Sequence, residues 1–386
     1  MIILFILFFS SLLLLLHSYI LYPISVWVLT IFIKKKFSED NNYLPNISIL
    51  ISVYNEEKVI NKTLRTLQNC YYPKEKVEIL VGSDNSTDKT NDILEKLSQE
   101  FENIKVFNFN KRRGKPHVIN DLAEAAKGEI LIFCDANTLY DKEAIKNLVK
   151  NYNDARIGGV SGKLNLIDFE KAKKSGSQEK IYWDAETWLK KQEGKLGVLI
   201  GANGGIYSIR KEYFEKIPTI HPVMDDFYIS LKVIEKRKAF LYINDAIAEE
   251  YTAPIRAEFN RKIRNNSIMM STIKVIKRLL NPSFGLIAYG LWSHKIIRWF
   301  TPILLLLIFV TNYALINEGA FYRYFFLIQL LFYVSSIVGY IFIKLNVNVV
   351  PLLMSFYFVM TNAAMFIGLV KFLFKKQTAF WQSTPR

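Results

Sequence analysis

Cysteine is nearly absent: Cys70 and Cys134 are the two among 386 residues, too few and too isolated for a disulfide framework or a zinc site. They read as reduced cytosolic thiols, with Cys134 inside a buried strand. Histidine is scarce as well, and positions 17, 117, 221 and 294 have no metal-ligand spacing, so none is given a catalytic role. No Walker pattern occurs, which disfavours a P-loop phosphate-transferring enzyme. Basic residues are scattered and no nucleic-acid reading module is present, which argues against nucleic-acid binding. Internal repeats and low-complexity tracts are missing too.

Charge is missing from long stretches at both ends. Residues 2–33 are almost entirely apolar and end in Lys34, Lys35 and Lys36. A bilayer crossing needs ~20 apolar residues, so this segment is long enough. A cleaved signal peptide fits less well, because the apolar core is too long, no basic n-region precedes it and no small-residue cleavage site follows. Further apolar stretches at about 299–316, 324–343 and 349–370 predict a multi-pass protein of the cytoplasmic (inner) membrane. The triple Lys puts the charged block that follows on the cytoplasmic side. Three C-terminal crossings would place Lys371, Lys375, Lys376 and Arg386 outside, against the same rule, so one apolar segment is expected not to cross fully. The net charge of +15 fits span ends beside anionic headgroups, and a polyanionic substrate as well.

The expected organisation is an N-terminal span over 1–36, a soluble domain over 44–255, amphipathic interfacial helices over 256–300, apolar helices over 301–370 and a basic cytoplasmic tail over 371–386. Residues 283–300, with Trp292, Trp299, Lys295 and Arg298 among apolar positions, have the composition of a helix lying in the interface. Within the soluble block, "ISILISV" (47–53), "VEILVGSD" (77–84), "IKVFNF" (104–109) and "EILIFCD" (129–135) alternate with amphipathic stretches. That spacing predicts an α/β fold, a mainly parallel sheet covered on both faces. Ligands of such sheets sit outside the carboxyl ends of the strands. Here those ends run into "VYNEE", "SDNSTD" and "DANT", three polar or acidic tips that should line one crevice.

Each motif has a plain alternative. "SDNSTDKT" suits a turn with Thr87 or Asp88 as helix cap, yet Asp84 at the strand end can accept from a nucleobase N–H. "KRRGKPHVIN" is a cationic loop opening a helix; it is a solvated turn, or it uses Gly114 for close approach and Lys115 to hold a phosphate-bearing ligand. Asp135 and Asn137, two apart at a strand tip, point the same way and can present a carboxylate and a carbonyl to a hard cation already bound to a diphosphate. Asn137 can equally cap the helix beginning near Asp141. Asp225 and Asp226 open an amphipathic helix, where acidic residues suit the dipole and can also include a general base. The glycines of "GANGGIYSIR", Gly204 among them, argue for close approach by a ligand or another backbone.

In this order, "VYNEE", "SDNSTDKT", "RRGK", "DAN", "GGVSGKL", "YWDAETWLKKQEGKLG", "GANGGIYSIR", "DDF" and "EFNRKIR" resemble the membrane-bound family 2 glycosyltransferases, the group that includes cellulose-synthase-like enzymes. The likeness spans about 47–264 and the flanking apolar segments. It implies a GT-A fold, a nucleotide-diphosphate sugar donor such as a UDP-sugar, and Mg2+ or Mn2+. By position, Tyr54, Glu56 and Asp84 would hold the nucleoside, Lys115 would lie near the donor, and Asp135 would approach the metal-bound diphosphate with Asn137 where many relatives carry a second Asp. Asp226 fits the general base, supported by Asp225.

The implied reaction is a single displacement, in which Asp226 deprotonates an acceptor hydroxyl and the anomeric centre inverts. Arg261 and Arg264 can support the diphosphate or anchor to lipid headgroups. Trp183 and Trp188, with Gly204, mark the acceptor side; the tryptophans can stack on sugar rings or pack the domain against the membrane. Polymerising relatives carry Q-x-x-R-W after the base. No such pentapeptide occurs here, only "RKIRNN" nearby and a late Trp381, which speaks against long-chain synthesis. The expected activity is hexosyl or N-acetylhexosaminyl transfer to a lipid-linked or polysaccharide acceptor for cell-surface or extracellular polysaccharide. The alternatives are a non-catalytic nucleotide-sugar-binding subunit of an assembly complex, and a nucleotidyltransferase.

Overall fold

The computed structural model describes residues 1–33, 35–167, 177–251, 254–345 and 347–375. Lys34 and the tail from 376 onward, with Lys376, Trp381 and Arg386, lie outside the described residues.

Eight strands form one sheet in the order β3-β2-β1-β4-β7-β6-β8-β5. Its first half is β1 (Ile47–Val53), β2 (Val77–Ser83), β3 (Ile104–Asn108) and β4 (Ile130–Phe133), all parallel. These are the four apolar runs of the sequence. Alternation along each strand divides the core: Ile47, Ile49, Ile51 and Val53 join Ile130, Ile132 and Cys134 on one face, while Leu50, Leu80, Leu131 and Phe133 pack on the other. Helices α2 (Ile60–Gln68) and α3 (Thr90–Glu100) cover the first face through Ile60, Leu64, Leu67, Leu94 and Leu97, and α4 (Lys115–Ala125) covers the second. Spacings of three and four residues make each a one-sided apolar stripe.

The second half is mixed. β7 (Tyr207–Arg210) runs against β4 and against β6 (Ile157–Ile167), β6 pairs parallel with β8 (Ala239–Tyr251), and the short β5 (Leu139–Tyr140) runs against β8. Helices α5 (Ala144–Val149), α6 (Ser177–Lys195) and α7 (Asp225–Glu235) pack on this half. β7 carries Tyr207 opposite Phe133, their rings stacked at 4.5 Å and 8°, which ties the two halves together behind the strand tips.

Among the described residues, three helices are long and apolar enough to cross a membrane: α1 (Ile2–Phe32), α11 (Ala320–Lys344) and α12 (Val350–Leu373). Ahead of α11 and α12 in the chain comes α8 (Ile255–Ile276), which packs along α12 with Asn266 Nδ2 donating to Met365 O. Between α8 and α11, α9 (Leu286–Trp299) and α10 (Thr301–Ala314) meet at a 60° bend. The 14 residues of α10 reach about 21 Å, short of the ~30 Å hydrocarbon core. Phe8 of α1 packs with Ile308, Leu315 and Tyr322 from this C-terminal group.

Candidate active site

The tips of β1 and β2 are latched together. Asn55, just past β1, has φ 53, and Asn85, just past β2, has φ 61, a backbone region that asparagine enters more readily than most residues. Asn55 Oδ1 accepts from Thr87 N–H at 2.8 Å, and Glu56 N–H donates to Thr90 Oγ1 at 2.9 Å. Tyr54 lies beside this latch with the Arg112 guanidinium 3.7 Å over its ring. A flat cationic and aromatic pair thus occupies the rim of the crevice.

Asp84 is buried, and its oxygens accept from Arg113 N–H and Gly114 N–H, each at 2.8 Å. The carboxylate therefore organises the cationic loop, and each oxygen has further lone-pair capacity for a base. Gly114 sits at φ 91, where only glycine is at ease, and α4 starts at the next residue.

Lys115, thus placed, bridges two carboxylates: its Nζ lies 2.7 Å from Asp135 Oδ1 and 2.9 Å from Asp225 Oδ2. Burial would lower the ammonium's pKa, but the two carboxylates outweigh it and raise it. Asp226, next along α7, is partly buried, and Phe227 N–H donates to its Oδ1 at 2.8 Å. Desolvation and the neighbouring Asp225 push its carboxyl up to about 7, against the pull of Lys115.

Gly204 closes the group. A Cβ there would lie 3.1 Å from Asp226 Oδ2 and 3.6 Å from Asp135 Oδ2, so the missing side chain is the space both carboxylates face. Asn203, the preceding residue, accepts through Oδ1 from the buried Lys190 Nζ at 2.6 Å and donates through Nδ2 to Gly162 O at 2.7 Å. Burial lowers the Lys190 ammonium to about 8. Gly204→Ala is expected to lower turnover about 10- to 100-fold, since displacements near 1 Å cost that much, with an unchanged melting temperature. Wild-type turnover in the variant would contradict this placement.

On α8, the Arg264 side chain is in electrostatic reach of Asp135 and Asp225, while burial and Arg261 lower its pKa. Arg261 Nε instead donates to the buried Glu258 at 2.6 Å. The strand tips, α4, α7 and α8 therefore bring Lys115, Asp135, Asp225, Asp226, Gly204 and Arg264 to one place. Residues 48–218, which hold Lys115, Asp135 and Gly204, match the model described as glycosyl transferase family 2. That segment is similar to glycosyl transferase family 2 domains. The chain is similar to "Probable glycosyltransferase YdaM" of Bacillus subtilis, 36% identical over 140 residues, 35% of this chain and 33% of that one. It is also similar to the beta-monoglucosyldiacylglycerol synthase of Nostoc sp., 28% identical over 172 residues, 44% of this chain and 36% of that one. The matches thus span about a third of the length of these curated relatives. Among solved structures, the mannosyltransferase PcManGT from Pyrobaculum calidifontis in complex with GDP-Man and Mn2+ shares the fold with TM-score 0.74 at 20% identity, over 96% of this chain and 100% of that one. The GT-A architecture implied by the motifs is the one observed.

The structure adds partners for several of the predicted residues. Asn137 is buried and its Nδ2 donates to Glu250 Oε1 at 2.8 Å, which ties the amide nitrogen to β8. Trp183 Nε1 donates to Leu164 O at 2.6 Å and its ring packs on the core, a structural role; Trp188 is exposed. Among the described residues no group of three or more His, Cys, Asp or Glu is gathered for a metal. The site nonetheless fits Mg2+ or Mn2+, which take one or two carboxylates plus substrate phosphates and water. Asp135 is a third exposed, and its Oδ1 already carries a cation, the Lys115 ammonium.

Two basic residues of α9 turn toward the domain. Lys295 and Arg298 both reach Glu186 of α6, at 3.4 and 3.0 Å. His294 puts Nε2 2.8 Å from Glu186 and Nδ1 2.7 Å from Glu193, and Tyr22 of α1 donates to Glu193 at 2.7 Å. Burial opposes the charge on both glutamates, but His294 and Lys295 hold them below the usual carboxylate range. Glu186, Lys190 and Glu193 recur every three to four residues on one face of α6, a signal the sequence offered and the motif reading passed over. Breaking a buried pair costs about 3–5 kcal/mol, so His294→Ala should melt clearly lower in detergent. An unchanged midpoint would mean the network contributes nothing.

Proposed function

We propose that the chain is an inverting glycosyltransferase, moving a sugar from a nucleotide-diphosphate donor to a lipid-linked or polysaccharide acceptor at the cytoplasmic face of a membrane. The observation that carries this reading is Asp226: a carboxyl poised near neutrality, facing Asp135 across the gap at Gly204. A base needs a pKa near the working pH and room beside it for the hydroxyl it deprotonates.

Asp226 would take the proton from the acceptor hydroxyl as its oxygen bonds to the anomeric carbon. The bond from that carbon to the diphosphate breaks on the opposite face, which inverts the centre. Lys115 and Arg264 would turn positive charge toward the diphosphate, and Tyr54, Glu56 and Asp84 would seat the nucleoside. A divalent cation held by Asp135 would neutralise charge on the leaving diphosphate. Support for a membrane-embedded acceptor comes from the apolar helices and from the lipid named in the Nostoc relative.

Screening nucleotide sugars with the lipid-embedded protein, with product masses read out, tests the proposal. Nucleoside diphosphate and an acceptor heavier by one sugar are expected. Pyrophosphate would indicate nucleotidyl transfer, and donor binding without release a scaffolding subunit. The pH profile follows from the same group: protonated Asp226 cannot accept a proton, so kcat/KM should rise tenfold per unit below about 7 and level off above it. A flat profile between pH 5 and 8 would contradict this role.

A further inference from the structure

The turn joining α8 to α9 carries a cationic depression that sugar transfer does not use. Arg237, Lys277, Arg278, Asn281, Ser283 and Phe284 line a volume of about 400 Å3, and none of them is acidic. Two guanidiniums from distant parts of the chain converge on one ring: Arg237 lies 4.5 Å and Arg278 6.0 Å from the Phe284 centroid. The acid near them is Glu235, 3.8 Å from Arg278 and already bonded to Lys232 at 2.8 Å. Three cations thus share one concavity with a single carboxylate beside them, which leaves it net positive and suited to an anion.

Arg237 itself is held at φ 61. An ordinary turn would place Gly or Asn there, since a side chain with a Cβ is disfavoured in that conformation. Its charge at the mouth of the depression gives the position a use. The turn is fixed on the other side by Asn281, whose side chain accepts from Ser283 N–H at 2.9 Å.

A second observation locates the depression. Trp292 of α9 donates from Nε1 to Leu280 O at 3.2 Å, on the same turn, and its ring is 47% exposed. An indole bonded at its polar edge and bare on its apolar face suits the boundary between headgroups and acyl chains. The cationic group therefore sits at phosphate level if the ring dips into the bilayer.

We infer that this depression binds the phosphate headgroup of an anionic phospholipid in the leaflet beneath the domain. The inference rests on the membrane reading above but not on the chemistry at Asp226. Arg and Lys supply charge-assisted bonds to phosphate oxygens, and basic residues are drawn to an anionic surface. The bound lipid would fix the tilt of the domain on the membrane.

The test uses the full chain, purified in detergent and delipidated, titrated with phosphatidylglycerol, phosphatidylcholine or inorganic phosphate. Native mass spectrometry and thermal unfolding are the readouts. Phosphatidylglycerol should stay bound and raise the melting temperature, with phosphatidylcholine and phosphate at least tenfold weaker. The paired change Lys277→Gln and Arg278→Gln should weaken phosphatidylglycerol at least tenfold while the lipid-free melting temperature holds; Arg278→Lys should keep most of the affinity. Equal retention of both lipids, or an unaffected double variant, would overturn the inference. Phosphate binding as tightly as phosphatidylglycerol would overturn the lipid assignment in favour of a free-anion site. Nucleoside diphosphate release persists in either case if the transfer reading is right, so the two fail separately.

Discussion

Asp226→Asn should lower turnover by about 10²- to 10⁴-fold, the usual contribution of a positioned general base, while the donor still binds. The substitution keeps shape, and the carboxamide oxygen can still accept from Phe227 N–H where Asp226 Oδ1 does. It also removes a carboxylate that desolvation and Asp225 disfavour, so the folded state should lose nothing. Asp225→Asn makes the contrast: Asp225 serves Lys115, and its loss leaves the ammonium with Asp135. Donor titration by calorimetry beside single-turnover kinetics separates the two effects. Equal turnover by native protein and Asp226→Asn would remove Asp226 from the chemistry.

Asp135→Asn should cost about 10²- to 10³-fold in kcat/KM, or about 3–4 kcal/mol, the scale of charge stabilisation attributed to a bound cation. The variant retains a hydrogen-bond acceptor for Lys115 but loses the negative charge that two cations would share. Its distinctive signature is in binding: Mn2+ should bind the nucleotide-loaded native protein with a changed electron paramagnetic resonance spectrum, and Asp135→Asn should shift that titration at least tenfold weaker. Identical Mn2+ titrations would show that Asp135 does not hold the cation.

The parallel half of the sheet was legible because strands buried on both faces read as unbroken apolar runs, as in β1, β2 and β4. The mixed half was not. β6 has Gly158 and Gly159 next to its first residue, and β8 carries Asn244, Asp245, Glu249 and Glu250, so neither shows a continuous run. The gathering of Asp135, Lys115 and Asp226 followed from motif order together with the rule that strand tips share a crevice. What motifs could not reveal were partners chosen by tertiary folding. Asp84 answers backbone amides about 30 positions along, and His294 meets glutamates more than 100 residues earlier. Asn137 is a further case, a motif position whose amide nitrogen is bonded to Glu250 on β8.

The most direct test is the anomeric configuration of the transferred sugar, read by NMR from the coupling constant of the product formed from a donor of known configuration. One displacement primed by Asp226 predicts inversion, so an α-linked donor gives a β-linked product. Retention would require two displacements or an attack on the same face, and would contradict the role assigned to Asp226.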